Sequence, residues 1–404
     1  MLSEQATPVI RATLPAVGGA IEEIADLFYR KMFTAHPELL RDLFNRGNQA
    51  NGEQKKALAG SIAAFASVLV EHPGTRPDVM LSRIAHKHAS LGVTADQYKI
   101  VHIRLFAAIA DVLGDAVTPQ VAAAWDEVYW LMANALIALE SELYQQAGAA
   151  DGDVWQQMTI TERRAETPDV ASFALRRADG RPAGVPRAGQ YVSVQVELPD
   201  GARQIRQYSL TSAPTEAEWR ITVKRVRDDG LPDGEVSCHL HEHAQAGDTL
   251  TVSAPFGDLV LAPGDGPLLL ASAGIGVTPM LALLKDIAVT DSTRQVTVVH
   301  ADRSPADHAH RDELQALVAA LPNAALHLFY ENPGFYENPG TPPSAHTSAG
   351  HADIGTLDLP ADTVAYLCGP LPFMRTVRGD LLGRGLPAEA VHYEVFGPDL
   401  WIAQ

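Results

Sequence analysis

The sequence predicts a multidomain chain: an all-α first part, an antiparallel β-barrel in the middle and a doubly wound α/β part at the end. Three observations carry this. Up to about residue 148, Ala and Leu are abundant, Pro and Gly are sparse within the periodic segments, and no alternating run occurs. From Asp153 the texture changes: Tyr191–Leu198 alternates strictly and Ile221–Val226 nearly so, with Gly, Pro and Asp turns between them. After about Gly264, short apolar runs at Leu268–Ser272, Gln295–Val299, Leu326–Phe329 and Val364–Leu367 alternate with helical stretches, as in a parallel sheet covered on both faces. The seams, Gln146–Gly152 and Ala262–Pro267, set expected domains at 1–148, 153–263 and 264–404.

Composition narrows the function. A length of 404 residues with 46% hydrophobic and 20% charged side chains supports two or three cores. The formal charge of −18 argues against a nucleic-acid or anionic-membrane surface. Cys238 and Cys368 are the only cysteines, which excludes a disulfide framework and a four-cysteine iron–sulfur or zinc site. No basic region followed by an apolar core opens the chain, so no signal peptide is read and the expected location is the cytoplasm. The uncharged run Gly266–Leu284 contains Gly274, Gly276 and Pro279, which reads as strand, glycine turn and helix rather than a membrane span. The tandem repeat Phe329–Gly334 and Phe335–Gly340 reads as a duplicated surface turn.

In the helical part, several polar residues interrupt apolar stripes. Leu81, Ile84, His88 and Leu91 share one helical face, so an imidazole sits where the pattern wants an aliphatic. Glu140 continues the stripe Trp125, Tyr129, Met132, Leu136, and a carboxylate there needs a donor. Tyr98 heads Val101, Leu105 and Ile109; Gln54 heads Leu58, Ile62, Phe65 and Leu69; Tyr29 borders Ile21, Ile24, Phe28 and Met32. Taken singly, each has a bland account as a satisfied core or edge residue.

Together, Phe28-Tyr-Arg-Lys-Met-Phe33, Phe44-Asn45, Asn51-Gly-Glu-Gln54, Lys87-His88 and Gln97-Tyr98 resemble the globin family, specifically its flavohaemoglobin branch. The resemblance implies that His88 ligates haem iron, with Tyr98 and Glu140 behind it. It places Tyr29, Gln54 and Leu58 in the distal pocket and Phe44 at the haem edge, with Lys87 beside the ligand. An imidazole whose far N–H is held by a carboxylate donates more density to a metal, which suits activation of oxygen over storage.

The later parts carry a second set of motifs. Gly189-Gln-Tyr191 followed by Arg206-Gln-Tyr-Ser209 resembles the flavin motif of the ferredoxin–NADP reductase superfamily. The resemblance gives Arg206 to the flavin pyrophosphate, Tyr208 to the ring and Ser209 to its reactive edge, with Tyr191 and Gln207 alongside. Gly234-Glu-Val-Ser237, at an expected helix start, would offer backbone N–H groups to the same phosphates, through Gly234, Val236 and Ser237.

Gly274-Ile-Gly-Val-Thr-Pro279 lacks the third glycine of the dinucleotide fingerprint, but it follows a buried strand and opens a helix. The superfamily carries that form, Gly274, Ile275, Gly276, Val277, Thr278 and Pro279, at its nicotinamide site, with Cys368, Gly369 and Pro370 opposite. Phe396, within Tyr393–Pro398, corresponds to the aromatic that covers the flavin. His239 and His243 are the only pair in His239-Leu-His-Glu-His243 able to share an ion, and no third ligand is identifiable.

The resemblance therefore implies haem b, FAD and NADH or NADPH as cofactors, and an NAD(P)H-dependent nitric oxide dioxygenase that turns NO and O2 into nitrate. Alternatives are reduction of alkyl or lipid hydroperoxides by the same cofactors, and a haem-based oxygen or redox sensor. It further implies a monomer, small-molecule partners, room for a lipid in the distal pocket, and no nucleic-acid or stable membrane partner. His300-Ala-Asp-Arg303 holds both an acid suited to a ribose diol and an arginine suited to a 2′-phosphate, leaving the nicotinamide cofactor open.

Overall fold

A computed structural model describes every residue except 51, 75–76, 151, 228–231, 291–292, 333, 335–344 and 398–404. The second copy of the duplicated turn and Pro398 thus lie outside the described residues. The chain forms two compact units. One comprises Met1–Trp155, Gln195–Arg206 and Gly397–Gln404; the other comprises Gln156–Val194 and Gln207–Phe396.

Among its described residues the first unit carries seven α-helices: α1 (Ala6–Ala35), α2 (Pro37–Asp42), α3 (Arg46–Ala50), α4 (Glu53–Glu71), α5 (Asp78–Leu91), α6 (Ala95–Leu113) and α7 (Pro119–Ala147). Of the stripe that the sequence predicts on α1, Ile24, Phe28 and Met32 are buried and Ile21 is half-buried; Ile10 extends the same inner face. Thr94 and Gln97 form a reciprocal capping box that starts α6, and the Thr118 side chain accepts from the Val121 N–H to start α7. Helix α5 stops at Gly92, whose φ of 74° is left-handed. A Cβ at Gly92 would sit 2.6 Å from the Gly152 carbonyl oxygen, so glycine is required for space as well as conformation. The core gathers Phe28, Met32, Leu81, Ala85, Leu105, Val128 and Leu136 around the inner faces of α1, α5, α6 and α7. No described helix is long and apolar enough to cross a membrane.

Beyond α7 come β1 (Trp155–Thr167), β2 (Val170–Arg177), β3 (Tyr191–Glu197), β4 (Arg203–Ser209), β5 (Trp219–Lys224), α8 (Glu235–His243) and β6 (Thr249–Ser253). The strands order as β4-β3-β6-β1-β2-β5. Pairing of β1 with β2 and of β2 with β5 is antiparallel, as the alternation implies. An antiparallel bridge from Leu210 to Ile221 joins the end of β4 to β5, which closes the sheet into a barrel.

The remainder alternates strand and helix: β7 (Leu268–Ala273), α9 (Val277–Thr290), β8 (Val296–Asp302), α10 (Arg311–Ala320), β9 (Ala324–Tyr330), β10 (Ala345–Ala349), β11 (Val364–Cys368), α11 (Leu371–Gly383) and β12 (Val391–Glu394). The sheet is parallel, in the order β10-β9-β8-β7-β11-β12. Strand β7 is buried along its whole length, and Met280, Leu283, Leu284 and Ile287 of α9 pack on it, which accounts for the uncharged run. The order reverses between β7 and β11, and a crevice at the carboxyl ends of strands at such a switch point is where doubly wound sheets bind ligands.

Candidate functional site

In the first unit, three helices converge on one carboxylate. Glu140 of α7 is buried, with a side chain only 3% exposed. The Tyr98 hydroxyl, on α6, donates to its Oε1 at 2.5 Å, and His88 Nδ1, on α5, lies 2.8 Å from the same oxygen and 2.9 Å from the hydroxyl. A buried carboxylate is tolerated when donors satisfy it, and these two do so. Burial pushes the Tyr98 hydroxyl well above the ordinary tyrosine range, and the charge and hydrogen bond of Glu140 add to the rise, so it stays a donor. The Tyr129 hydroxyl donates to the Tyr98 carbonyl at 2.6 Å and fixes α6 against α7 at this level.

With the Nδ1 proton directed at Glu140, the other ring nitrogen of His88 carries the free lone pair. That nitrogen has no hydrogen-bond partner among the described residues, and the side chain is 32% exposed although it stands on the helix's inward stripe. The donor chemistry fits an iron-bound imidazole with a carboxylate behind it. Lys87 precedes it, half-buried on α5.

Tyr29 is 4% exposed on α1, its ring packed edge-on to Phe28 at 4.8 Å and Phe44 at 6.0 Å between centroids, and stacked on Phe33 at 5.6 Å. Burial pushes its hydroxyl above the ordinary tyrosine range, and the Gln49 side chain beside it acts in the opposite sense. Gln49, on α3, was not among the predicted residues; its Nε2 is buried without a partner, an orphan donor next to the tyrosine. Gln54 and Leu58 are half-buried on α4, and Leu58 packs on the core cluster that holds Tyr29.

In the barrel, Tyr191 is buried on β3. Gln207 Nε2 donates to Ser193 Oγ at 2.9 Å, and Tyr208 is half-buried. Ser209 Oγ is buried and has no hydrogen-bond partner among the described residues, which fits a hydroxyl that would bond a ligand atom. Arg206 is half-buried, its Nη1 donating to the Ile205 carbonyl at 2.7 Å. Gly234 precedes α8 and Val236 is buried within it. The Ser237 hydroxyl is engaged locally: it donates to the Gly234 carbonyl at 3.0 Å and accepts from the Val226 N–H at 3.1 Å.

At the switch point, Gly274, with φ 52°, Ile275 and Gly276 form a single 3₁₀ turn between β7 and α9. A Cβ on Gly276 would lie 2.2 Å from the Cys368 carbonyl oxygen, so only glycine lets this turn approach the end of β11. Val277, Thr278 and Pro279 are buried at the start of α9, and Thr278 Oγ1 donates to the Ile275 carbonyl at 2.9 Å. Cys368 is fully buried, and burial with the nearby Glu394 pushes its thiol well up, so it is not a nucleophile. Gly369 and Pro370 lead into α11, and Phe396 is 47% exposed rather than part of a core.

A cleft at this edge is lined by Gly274, Ile275, Lys224, Asp302, Arg303 and Asp307. The Asp302 carboxyl, 8% exposed, is held below the ordinary aspartate range: burial opposes the shift, and the His300 imidazole, its Nε2 3.6 Å away, outweighs it. The Arg303 guanidinium is paired with Asp307 at 2.6 Å. The rings of His239 and His243 stand 4.9 Å apart, and no group of three or more metal-ligating side chains occurs among the described residues.

Comparison with known proteins agrees with this fold. A globin family model matches residues 26–136, and an oxidoreductase NAD-binding domain model matches residues 270–379. A flavohemoprotein of Rhizobium meliloti is 40% identical over 99% of this chain and 100% of its own length. The crystal structure of a flavohemoglobin from Malassezia yamatoensis with bound FAD and heme superposes with a TM-score of 0.88 at 38% identity, covering 98% of this chain and all of that one. The FAD/NAD-binding domain of a nitric oxide dioxygenase from Vibrio cholerae matches 60% of this chain and 99% of its own at 34% identity, with a TM-score of 0.54. With helical, barrel and doubly wound parts in the same order across the full length of such relatives, the chain belongs to the flavohaemoprotein family.

Proposed function

We propose that this protein is an NAD(P)H-dependent nitric oxide dioxygenase that uses haem b and FAD to convert NO and O2 to nitrate. The observation that carries the reading is the His88–Glu140–Tyr98 arrangement, an imidazole with one nitrogen held and the other open. The name of the Vibrio cholerae relative supports the choice of substrate. When bound, haem supplies one-electron chemistry on O2, and FAD divides a hydride into single electrons.

The chain's own groups have separable tasks in this reading. His88 Nε2 holds the iron, and Glu140 keeps the Nδ1 proton and orients the ring, with Tyr98 fixing the carboxylate. Tyr29 supplies a hydrogen bond on the distal side, where Gln54, Leu58 and Phe44 shape the space around it. In the reductase part, modules 153–263 and 264–404 would bind FAD and NAD(P)H. Arg206 takes pyrophosphate, Tyr208 and Phe396 cover the isoalloxazine, and Ser209 hydrogen-bonds its reactive edge. The backbone at Gly234, Val236 and Ser237 adds donors to the phosphates. Gly274–Pro279 and Cys368–Pro370 position the nicotinamide at the switch point.

The decisive experiment mixes NADH-reduced, oxygenated holoprotein with nitric oxide and measures nitrate. Stoichiometric nitrate is the expected result. Nitrate below one-tenth of the NO consumed, or turnover of a hydroperoxide but not of NO, would refute the assignment.

A further inference from the structure

Gln204 is fully buried on β4, and nothing in the resemblance or in the strand's alternation singles it out. Its Nε2 faces three backbone carbonyls at the end of α2 and the corner beyond it: Leu40 at 3.3 Å, Arg41 at 3.0 Å and Phe44 at 3.3 Å. Its Oε1 accepts from the Arg46 N–H at 3.3 Å and from Arg206 Nη1 at 3.4 Å. Both ends of one buried amide are therefore occupied, and all of its partners are either the backbone of residues 40–46 or the side chain of Arg206. An aliphatic residue would fill the same space, but it would leave the α2 carbonyls and the Arg46 N–H without these partners in a dry site.

Around the amide are weaker, exposed contacts. Arg46 pairs with Asp200 at 2.6 Å, and the Arg203 N–H donates to Asp42 at 3.2 Å. From Phe44 the contacts run on to Phe33 at 5.3 Å and Tyr29 at 6.0 Å between ring centroids. Period-two alternation puts Gln204, Arg206 and Tyr208 at register positions of one strand face, so a slip of β4 by one residue would displace all three together.

We infer that Gln204 is a positioning residue for electron transfer from flavin to haem. It locks the strand segment carrying the flavin-phosphate residue Arg206 to the corner carrying the haem-edge residue Phe44, both within the first unit, and so holds these two residues in fixed register. This rests on the proposed roles of Arg206 and Phe44. The amide touches neither cofactor in this account, and neither hydride delivery to the flavin nor the distal hydrogen bond of Tyr29 depends on it.

The test resolves the steps by stopped flow in the holoprotein. In Gln204→Met, reduction of the flavin by NADH should match wild type, while haem reduction by the flavin slows by roughly tenfold or more, as expected for a small misplacement of reacting groups. Visible spectra should show both cofactors bound, and amide exchange at Phe44–Arg46 should accelerate. Asp200→Asn, which breaks only the exposed pair, should stay within twofold at every step. If Gln204→Met fails to fold, Gln204→Asn, which withdraws the same groups by one methylene, carries the test with an expected slowing of threefold or more.

Haem reduction within twofold of wild type in a loaded Gln204 variant overturns the inference, as does equal slowing in Asp200→Asn. Failure of the underlying reading has a different signature: wild-type protein that binds no FAD or shows no histidine-ligated haem spectrum.

Discussion

Replacing Glu140 by Gln tests the proposed proximal side most sharply, because it changes one charge at nearly constant shape. The carboxylate accepts from both Tyr98 and His88, and its side chain is 3% exposed, so water cannot replace what is lost. A hydrogen bond to a charged acceptor contributes about 1.5–3 kcal/mol against about 0.5–1.5 for a neutral one, a difference of about 1–1.5 kcal/mol for the His88 bond alone. That bond strengthens as the ring gains positive character, so the carboxylate favours the oxidised metal and its loss raises the haem midpoint potential. With 59 mV per tenfold for one electron, the expected rise is roughly 40–65 mV.

The assay is a spectroelectrochemical titration of the holoprotein, with the iron–histidine stretch of the ferrous form as a second signal. That stretch should fall in Glu140→Gln. The hydroxyl of Tyr98 does not titrate in the working range, since burial and then the Glu140 charge push it well above an ordinary tyrosine. A midpoint within about 20 mV of wild type in haem-loaded protein, or one that moves down, would refute the argument.

Three other outcomes follow from the same geometry. Tyr29→Phe should raise the oxygen off-rate by roughly 10–150-fold, the worth of one hydrogen bond to a charged ligand; a change under about twofold in flash photolysis would remove Tyr29 from that role. Gly276→Ala places a methyl 2.2 Å from the Cys368 carbonyl oxygen. The strain of about 1–3 kcal/mol or more should cut NADH-driven flavin reduction at least tenfold while dithionite still reduces the haem normally. The third concerns Glu313, which bonds His310 at 2.8 Å and Lys285 at 2.9 Å and also pairs with Arg220. Burial would raise its pKa, but the His310 hydrogen bond and the two cations outweigh that and hold it well below the usual range. A depressed carboxylate stabilises the fold above its unfolded value, and the contribution fades as pH falls through the folded one. Glu313→Ala should therefore lose roughly 2–3 kcal/mol at neutral pH, less than a fully enclosed pair because the side chain is 22% exposed, and converge with wild type in strong acid. Urea midpoints of flavin release across pH would check both the size and the sign.

The residues legible in the sequence are those that break a rule within their own element. His88, Tyr98 and Glu140 each stand as a polar group on an apolar helical stripe, and a stripe can be read without knowing what lies opposite. What the stripe cannot show is that the three meet on one carboxylate oxygen. The glycine turn was legible as strand, turn and helix, but the need for Gly276 itself lies in the carbonyl of Cys368 on a strand far along the chain. Strand β8 runs to Asp302, past the apolar run that ends at Val299, because its pairing with β7 and β9 continues into the polar residues of the cleft. In doubly wound sheets generally, the carboxyl ends of parallel strands are where apolar periodicity gives way to ligand-facing polar residues.

Gln49 and Gln204 were not legible at all. One sits on a five-residue helix too short to show a period, and the other occupies an inward position of a strand in which Ile205 is the only aliphatic residue. Their significance is carried by what stands beside them, the Tyr29 hydroxyl near Gln49 and the backbone carbonyls of residues 40–44 with Arg206 around Gln204. Polar side chains that join two elements thus escape periodicity altogether, whereas His88, Tyr98 and Glu140 show in the sequence because each interrupts an apolar helical face. The Ser209 hydroxyl stands between the two cases: its motif made it legible, and among the described residues it is buried without a hydrogen-bond partner.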